Sequence, residues 1–157
     1  RMSNQVCAKM PVLFCAHGGG PMPLLGGMGQ EKYRDHFKEF QSFLPAVPAA
    51  IVVISAHWEE KSVTVMSNEK TKLLYDYGGF PPEAYEITYP APGAPEVAER
   101  IRGLLAKMNC KEVKNRGLDH GVFVPMKIGW ADANIPTLQV SLLRSLDPRE
   151  HLELGRA

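Results

Sequence analysis

Neither sign of charge is in excess, since 18 Lys+Arg stand against 17 Asp+Glu for a formal net charge of +1. A chain this balanced offers no basic face to a phosphate backbone, which excludes nucleic acid as a partner. Long apolar runs are also missing. The longest, Ala46–Ile54, is about half a membrane span and is broken by Pro48, so no membrane partner is expected. Cysteine is scarce: Cys7, Cys15 and Cys110 are odd in number, widely spaced and without a C-x-x-C pair for zinc or redox work. They read as reduced thiols. Cys15 lies two residues before a histidine, but its neighbours Leu13, Phe14 and Ala16 are apolar, and burial raises a thiol's pKa rather than activating it. Arg1–Met10 mixes polar and charged residues without an apolar stretch and does not read as a signal peptide, so a cytoplasmic location is expected.

What remains is an ordinary globular composition, 45% hydrophobic and 22% charged over 157 residues. Residues 1–10 read as an N-terminal extension, and residues 11–157 as one domain. Pro11–Ala16 is a short apolar run closed by Gly18-Gly-Gly-Pro21, which predicts a buried strand. Met22–Gln30, rich in glycine, reads as loop. Glu31–Leu44 sets Tyr33, Phe37, Phe40 and Leu44 on one stripe, predicting an amphipathic helix that Pro45 and Pro48 stop. Ala50–Ala56 is β-branched and apolar on both faces, as strands covered on two sides are. Thr64–Met66 is a shorter strand.

Between Tyr75 and Pro95 the chain carries Pro81, Pro82, Pro90 and Pro92 among Tyr75, Tyr77, Phe80, Tyr85 and Tyr89. A long loop so rich in aromatics is functional or tightly packed, because ordering it costs entropy. Pro95 opens a helix with Val97, Ile101, Leu104, Leu105 and Met108 on its stripe. Ile135–Leu142 is another strand, and Asp147-Pro148 reads as the cap and first residue of a last helix. Strands alternating with helices predict an α/β domain with a mainly parallel sheet and flanking helices. Because the last helix has barely begun an apolar stripe at Leu152 when the sequence stops, the chain is expected to be the N-terminal part of a longer protein.

His17 directly follows the first predicted strand and His57 the second. In parallel α/β sheets ligands bind beyond the carboxyl ends of the strands, so both imidazoles should emerge at one rim. Either alone reads as a polar residue ending a strand. Two in the same slot suit a divalent transition metal. Gly18-Gly-Gly-Pro21 lets the backbone approach a ligand closely; it also matches the HGGG oxyanion loop of esterases, although no G-x-S-x-G nucleophile elbow accompanies it. His120, between glycines and after Asp119, reads either as a general acid/base or as a turn histidine bonded to Asp119. His36 and His151 read as solvated surface, as do Lys127 and Arg144.

His17-Gly-Gly-Gly-Pro21, Ser55-Ala-His-Trp-Glu59, Tyr75-Asp-Tyr-Gly-Gly-Phe-Pro-Pro-Glu-Ala-Tyr85, Tyr89-Pro-Ala-Pro-Gly93 and Gly117-Leu-Asp-His-Gly121 occur in that order. Together, from about Pro11 to Ala157, they resemble the class III extradiol ring-cleavage dioxygenases of the DOPA-dioxygenase-like branch. The resemblance implies one divalent metal ion, Fe(II) or otherwise Zn(II), on His17 and His57, with His120 as acid/base. It also implies a catechol-type substrate and dioxygen, with the ring opening beside the two hydroxyls. Gly18, Tyr77 and Phe80 are the expected substrate-binding residues, with Trp58 and Tyr85 as further candidates for an aromatic wall. A facial site takes three protein ligands. Glu59, Glu60, Asp76 and Asp119 are the carboxylates at hand, but the third ligand is expected beyond Ala157, in the Ser-Gly-x-x-x-His-Asn type segment that has no counterpart here. Two other functions fit the same scaffold: a zinc-bound relative acting as a binding protein, and an esterase-like hydrolase using the glycine loop.

Overall fold

A computed structural model describes residues 9–26 and 29–157, so Cys7 and most of the expected extension lie outside the described residues. In chain order the elements are α1 (Met22–Leu25), α2 (Glu31–Lys38), β1 (Ile51–Glu60), β2 (Thr64–Met66), α3 (Pro95–Leu104), β3 (Lys111–Val113), α4 (His120–Gly129), β4 (Thr137–Leu143) and α5 (Pro148–Arg156). The sheet order is β1-β4-β2-β3. β1 runs parallel to β4 and β2 parallel to β3, while β2 meets β4 antiparallel. The α/β domain with a mostly parallel sheet is therefore as expected.

Local chemistry explains most elements. The aromatic stripe of Glu31–Leu44 forms a helix, although after Lys38 it tightens into a 3-10 turn over Glu39–Phe43. Pro95 sits at the start of α3, where its missing N–H costs nothing. Asp147 caps α5 by accepting from the Arg149 N–H at 2.7 Å. His151, expected at the surface, instead ties α5 to the sheet: its Nε2 accepts from the Leu143 N–H at 3.0 Å.

Three expectations need correction, and one helix has no counterpart in the sequence reading. Pro11–Ala16 is not a strand; it lies extended with no ladder partner among the described residues, and Val12 and Phe14 are fully exposed. An apolar run becomes a buried strand only if an edge pairs with it and a layer covers it, and neither is supplied here. β1 is likewise not covered on two sides, since Val52 and Ile54 are about half exposed. Met22–Leu25, expected as loop, makes one helical turn. The helix without a counterpart is α4, whose sequence carries no helical signal. It is apolar all round, with Val122, Phe123 and Val124 fully buried, so it shows no helical stripe, and Gly121 and Pro125 look like breakers.

The core gathers around α4, β2 and β4. α2 crosses α4 so closely that a Cβ on Gly129 would lie 2.8 Å from the Phe37 ring. The loop after β2 is pinned in the same way. A Cβ on Gly93 would stand 1.6 Å from the Asn68 carbonyl oxygen, beside the Gly93 N–H···O=C Glu69 bond of 2.9 Å. Replacing Gly93 with alanine is therefore expected to destabilise the fold by about 3 kcal/mol, the upper range of overpacking. The check is the urea midpoint, with Gly155→Ala as the control because nothing lies within 4 Å of its Cβ position.

Candidate metal centre

Three segments deliver the histidines. His17 comes from the extended run before Gly18, His57 from β1, and His120 from the first turn of α4. His57 does not follow its strand, as the sequence suggests, but lies within it. Between Ile54 and Glu59 the β1–β4 register shifts, and this irregularity frees the Ser55–Trp58 stretch from regular pairing. Such irregularities commonly re-aim a side chain beside a site.

The ring nitrogens converge. Nε2 of His57 lies 2.9 Å from Nε2 of His17. The His57 and His120 ring centroids are 4.1 Å apart and those of His17 and His120 4.8 Å. One donor nitrogen from each ring fits within 4.8 Å of the others. Two nitrogens bound at right angles to one ion, each at roughly 2.1 Å, would stand about 3.0 Å apart. The pair thus has the spacing of two adjacent ligands on one divalent cation. Burial, with His120 and His57 beside it, pushes the His17 pKa below the ordinary histidine range. That keeps its lone pair available as a donor.

A buried carboxylate holds the arrangement from beneath. Asp119, wholly inaccessible, accepts at Oδ1 from the Ser55 hydroxyl at 2.7 Å. Its Oδ2 accepts from Gln139 Nε2 at 2.7 Å and Arg116 at 3.0 Å. Gln139 Oε1 in turn accepts from the Asp119 N–H at 3.3 Å. One side chain therefore joins β1, β4 and the start of α4. Asp119 thus faces Ser55, Gln139 and Arg116, lies outside the three-histidine group, and is not the partner of the His120 ring. That partner is Asp76: its Oδ1 lies 2.8 Å from His120 Nδ1 and accepts from the His120 N–H at 3.0 Å. Burial alone would raise the Asp76 pKa, but these bonds from His120 hold it below the usual value.

The other candidates separate into those near the cluster and those away from it. Tyr77 packs edge-on to His120 with centroids 5.7 Å apart, and Phe80 lies 5.4 Å from Tyr77. The Phe80 ring also covers the backbone of Gly20, whose φ of +55° and missing Cβ permit the contact. Gly18 has a φ of +81°, and a Cβ there would strike Pro23 at 2.5 Å. It shapes the loop after His17. Tyr85 is partly exposed, 5.5 Å from Tyr77. Trp58 is no wall for a ligand: it is buried beneath the Arg116 guanidinium, 4.5 Å away, with its Nε1 on Glu60. His120 is largely buried, 6% exposed, with its ring against those of His17 and His57. Cys15 lines an apolar cleft of about 290 Å³ with Tyr33 and Phe37; its own surface is exposed, contrary to the buried strand expected, yet the apolar atoms around it still push its pKa up.

A family model described as the catalytic LigB subunit of aromatic ring-opening dioxygenase matches residues 11–157. The chain belongs to that family. It is 40% identical to "Dioxygenase tasH" of Hapsidospora irregularis over 94% of this chain and 48% of the relative. It is 39% identical to a 4,5-DOPA dioxygenase extradiol of Beta vulgaris, over 92% of this chain and 54% of the other. A protein of the same name from Escherichia coli (strain K12) is 38% identical over 94% and 53%. The crystal structure of an uncharacterized Escherichia coli K12 protein superposes with a TM-score of 0.64 at 35% identity, covering 79% of this chain and 46% of that one. The chain spans about half the length of the curated relatives it matches.

Within this LigB-family domain, sequence reasoning did not find the roles of Ser55, Arg116, Gln139 and Gly121. Gly121 has the clearest signal in hindsight, a glycine directly after a histidine. A Cβ there would lie 2.7 Å from Ser55 Oγ and 2.9 Å from the His57 ring. Gly121→Ala is therefore expected to push His57 off its position and weaken divalent-metal affinity about tenfold or more, the scale of a lost supporting contact. Isothermal titration with zinc, beside a thermal melt showing the variant folded, is the measurement.

Proposed function

We propose that this chain carries the metal-binding and proton-transferring part of an extradiol dioxygenase that opens the ring of a catechol-type substrate with dioxygen. The observation that carries the reading is the 2.9 Å approach of the His17 and His57 Nε2 atoms with the His120 ring against both. His17 and His57 hold one divalent ion, Fe(II) for the oxygen chemistry. When bound, that ion supplies Lewis acidity and open positions for a chelating diol and dioxygen. The names of the relatives from Beta vulgaris and Escherichia coli support a dihydroxyphenyl substrate.

The residues of this chain do the rest. His120 offers Nε2 towards the cluster, takes a proton from a substrate hydroxyl and later returns one. Tyr77 and Phe80 border the same space and orient an aromatic ring by edge and face contacts. With His120 itself 6% exposed, little water reaches its ring. The third ligand of a facial site is assigned to the part of the full-length relatives that this chain does not match.

A second reading has one observation in its favour. The His120 nitrogen lies close enough to the other two for all three to hold a single ion. A three-histidine zinc site would serve binding without oxygen chemistry, because zinc is redox-inert. The esterase alternative has no such support, since Ser55, beside the cluster, donates its hydroxyl proton to Asp119 and not to a histidine ring.

The test uses the full-length protein, reconstituted anaerobically with ferrous iron and then given dihydroxyphenylalanine and air. A yellow ring-opened product is expected with iron and none with zinc. His120→Ala should lower kcat by about 100-fold or more while metal content by atomic absorption stays within error. Metal lost from that variant makes His120 a ligand and favours the second reading.

A further inference from the structure

Asp76, offered by the sequence only as one of four carboxylates at hand, touches two of the three histidines. Its Oδ1 accepts from both the backbone N–H and the Nδ1 of His120, at 3.0 and 2.8 Å, and its Oδ2 stands 3.8 Å from His57 Nδ1. A carboxylate accepts hydrogen bonds and donates none, so the Nδ1 of His120 must carry the proton in that contact. The other nitrogen, Nε2, is then left with its lone pair. Geometry and tautomer are coupled by one side chain.

The loop that presents Asp76 is fixed by its own contacts. Leu74 donates its N–H to the Leu118 carbonyl at 2.8 Å, and Leu118 donates to the Lys72 carbonyl at 2.8 Å. Gly117 makes this approach possible, because a Cβ there would lie 2.8 Å from the Leu73 carbonyl carbon. On either side of Asp76, Tyr75 donates its hydroxyl to the Ile87 carbonyl and Tyr77 donates to the Ala84 carbonyl, each at 2.6 Å. The long aromatic loop and the start of α4 are thus clamped together two residues from both Asp76 and His120. An unsupported carboxylate on a loop would wander, but this one is held.

We propose that Asp76 is a positioning residue that fixes His120 as the Nδ1–H tautomer and aims its bare Nε2 at the space shared with His17 and His57. The inference rests on His120 being the acid/base of the proposed reaction for its consequence, but not for its geometry. A proton leaving a substrate hydroxyl for Nε2 leaves its electron pair on oxygen and makes an imidazolium. Nδ1–H stays bonded to the Asp76 carboxylate throughout. Returning the proton restores the neutral ring, so the carboxylate itself never gains or loses one. In the opposite tautomer Nε2 would already carry hydrogen and have no lone pair to accept with.

Long-range proton–nitrogen correlation spectra of histidine-labelled protein read the tautomer without any turnover. His120, assigned by its loss in His120→Ala, is expected to show a protonated Nδ1 and an unprotonated Nε2. Asp76→Ala should move it to a mixed or Nε2–H signature with metal content unchanged. Asp76→Asn, which keeps an acceptor oxygen, should preserve the tautomer. In the iron-loaded full-length enzyme, Asp76→Ala should cost about 100-fold in kcat with KM within threefold, and Asp76→Asn less. An Nε2–H tautomer in the wild type overturns the proposal, whether or not the variants fold. So does an unchanged His120 spectrum in Asp76→Ala, or loss of metal from it, which would mean that Asp76 acts through His57. The expected tautomers in a protein that opens no catechol would leave the positioning intact and remove the dioxygenase reading instead.

Discussion

The site depends on one carboxylate taken out of water. Burying an unpaired charge costs several kcal/mol, so Asp119 is tolerable only because each oxygen is met by a donor. Those donors come from different elements: Ser55 from β1, Gln139 from β4, and Arg116 from the turn before α4. Satisfying one charge therefore fixes the mutual placement of two strands and a helix start. His57 lies two residues beyond Ser55 and His120 directly after Asp119, so the network that relieves the buried charge also sets the distance between the two rings.

Missing side chains complete what that network begins. Gly121 removes the Cβ that would collide with the His57 ring, and Gly117 removes the one that would hold the Asp76 loop away from α4. Neither position has a positive φ, so steric room is what they provide. The aromatic loop then closes over α4 with Tyr75 packed against Phe123 at 5.9 Å and Tyr77 against His120 at 5.7 Å. Polar and apolar contacts act in the same direction, and rings brought together by three separate segments need both.

The apolar residues left exposed are a contrast. Val12 and Phe14 are fully exposed, and Val52 and Ile54 on the edge strand β1 about half so. These are the residues whose apolar, β-branched character reads most strongly as covered strand. No layer among the described residues covers them, so the local reading of Pro11–Ala16 as a buried strand fails.

Periodicity and punctuation by themselves determined α2, α3, α5, β2 and β4, because amphipathic stripes, Pro95 and the Asp147 cap act within a few residues. The motif blocks also marked the three histidines. Three things were decided only by tertiary structure. α4 is buried on every side, so its sequence carries no contrast between faces. The choice of Asp76 over Asp119 as partner of His120 depends on which carboxylate the fold brings against the ring, since Asp119 is turned to Ser55, Arg116 and Gln139. The convergence of His17 on His57 depends on an irregular strand register. A sequence records which groups are able to bond; which of them meet is set by competition for partners in three dimensions.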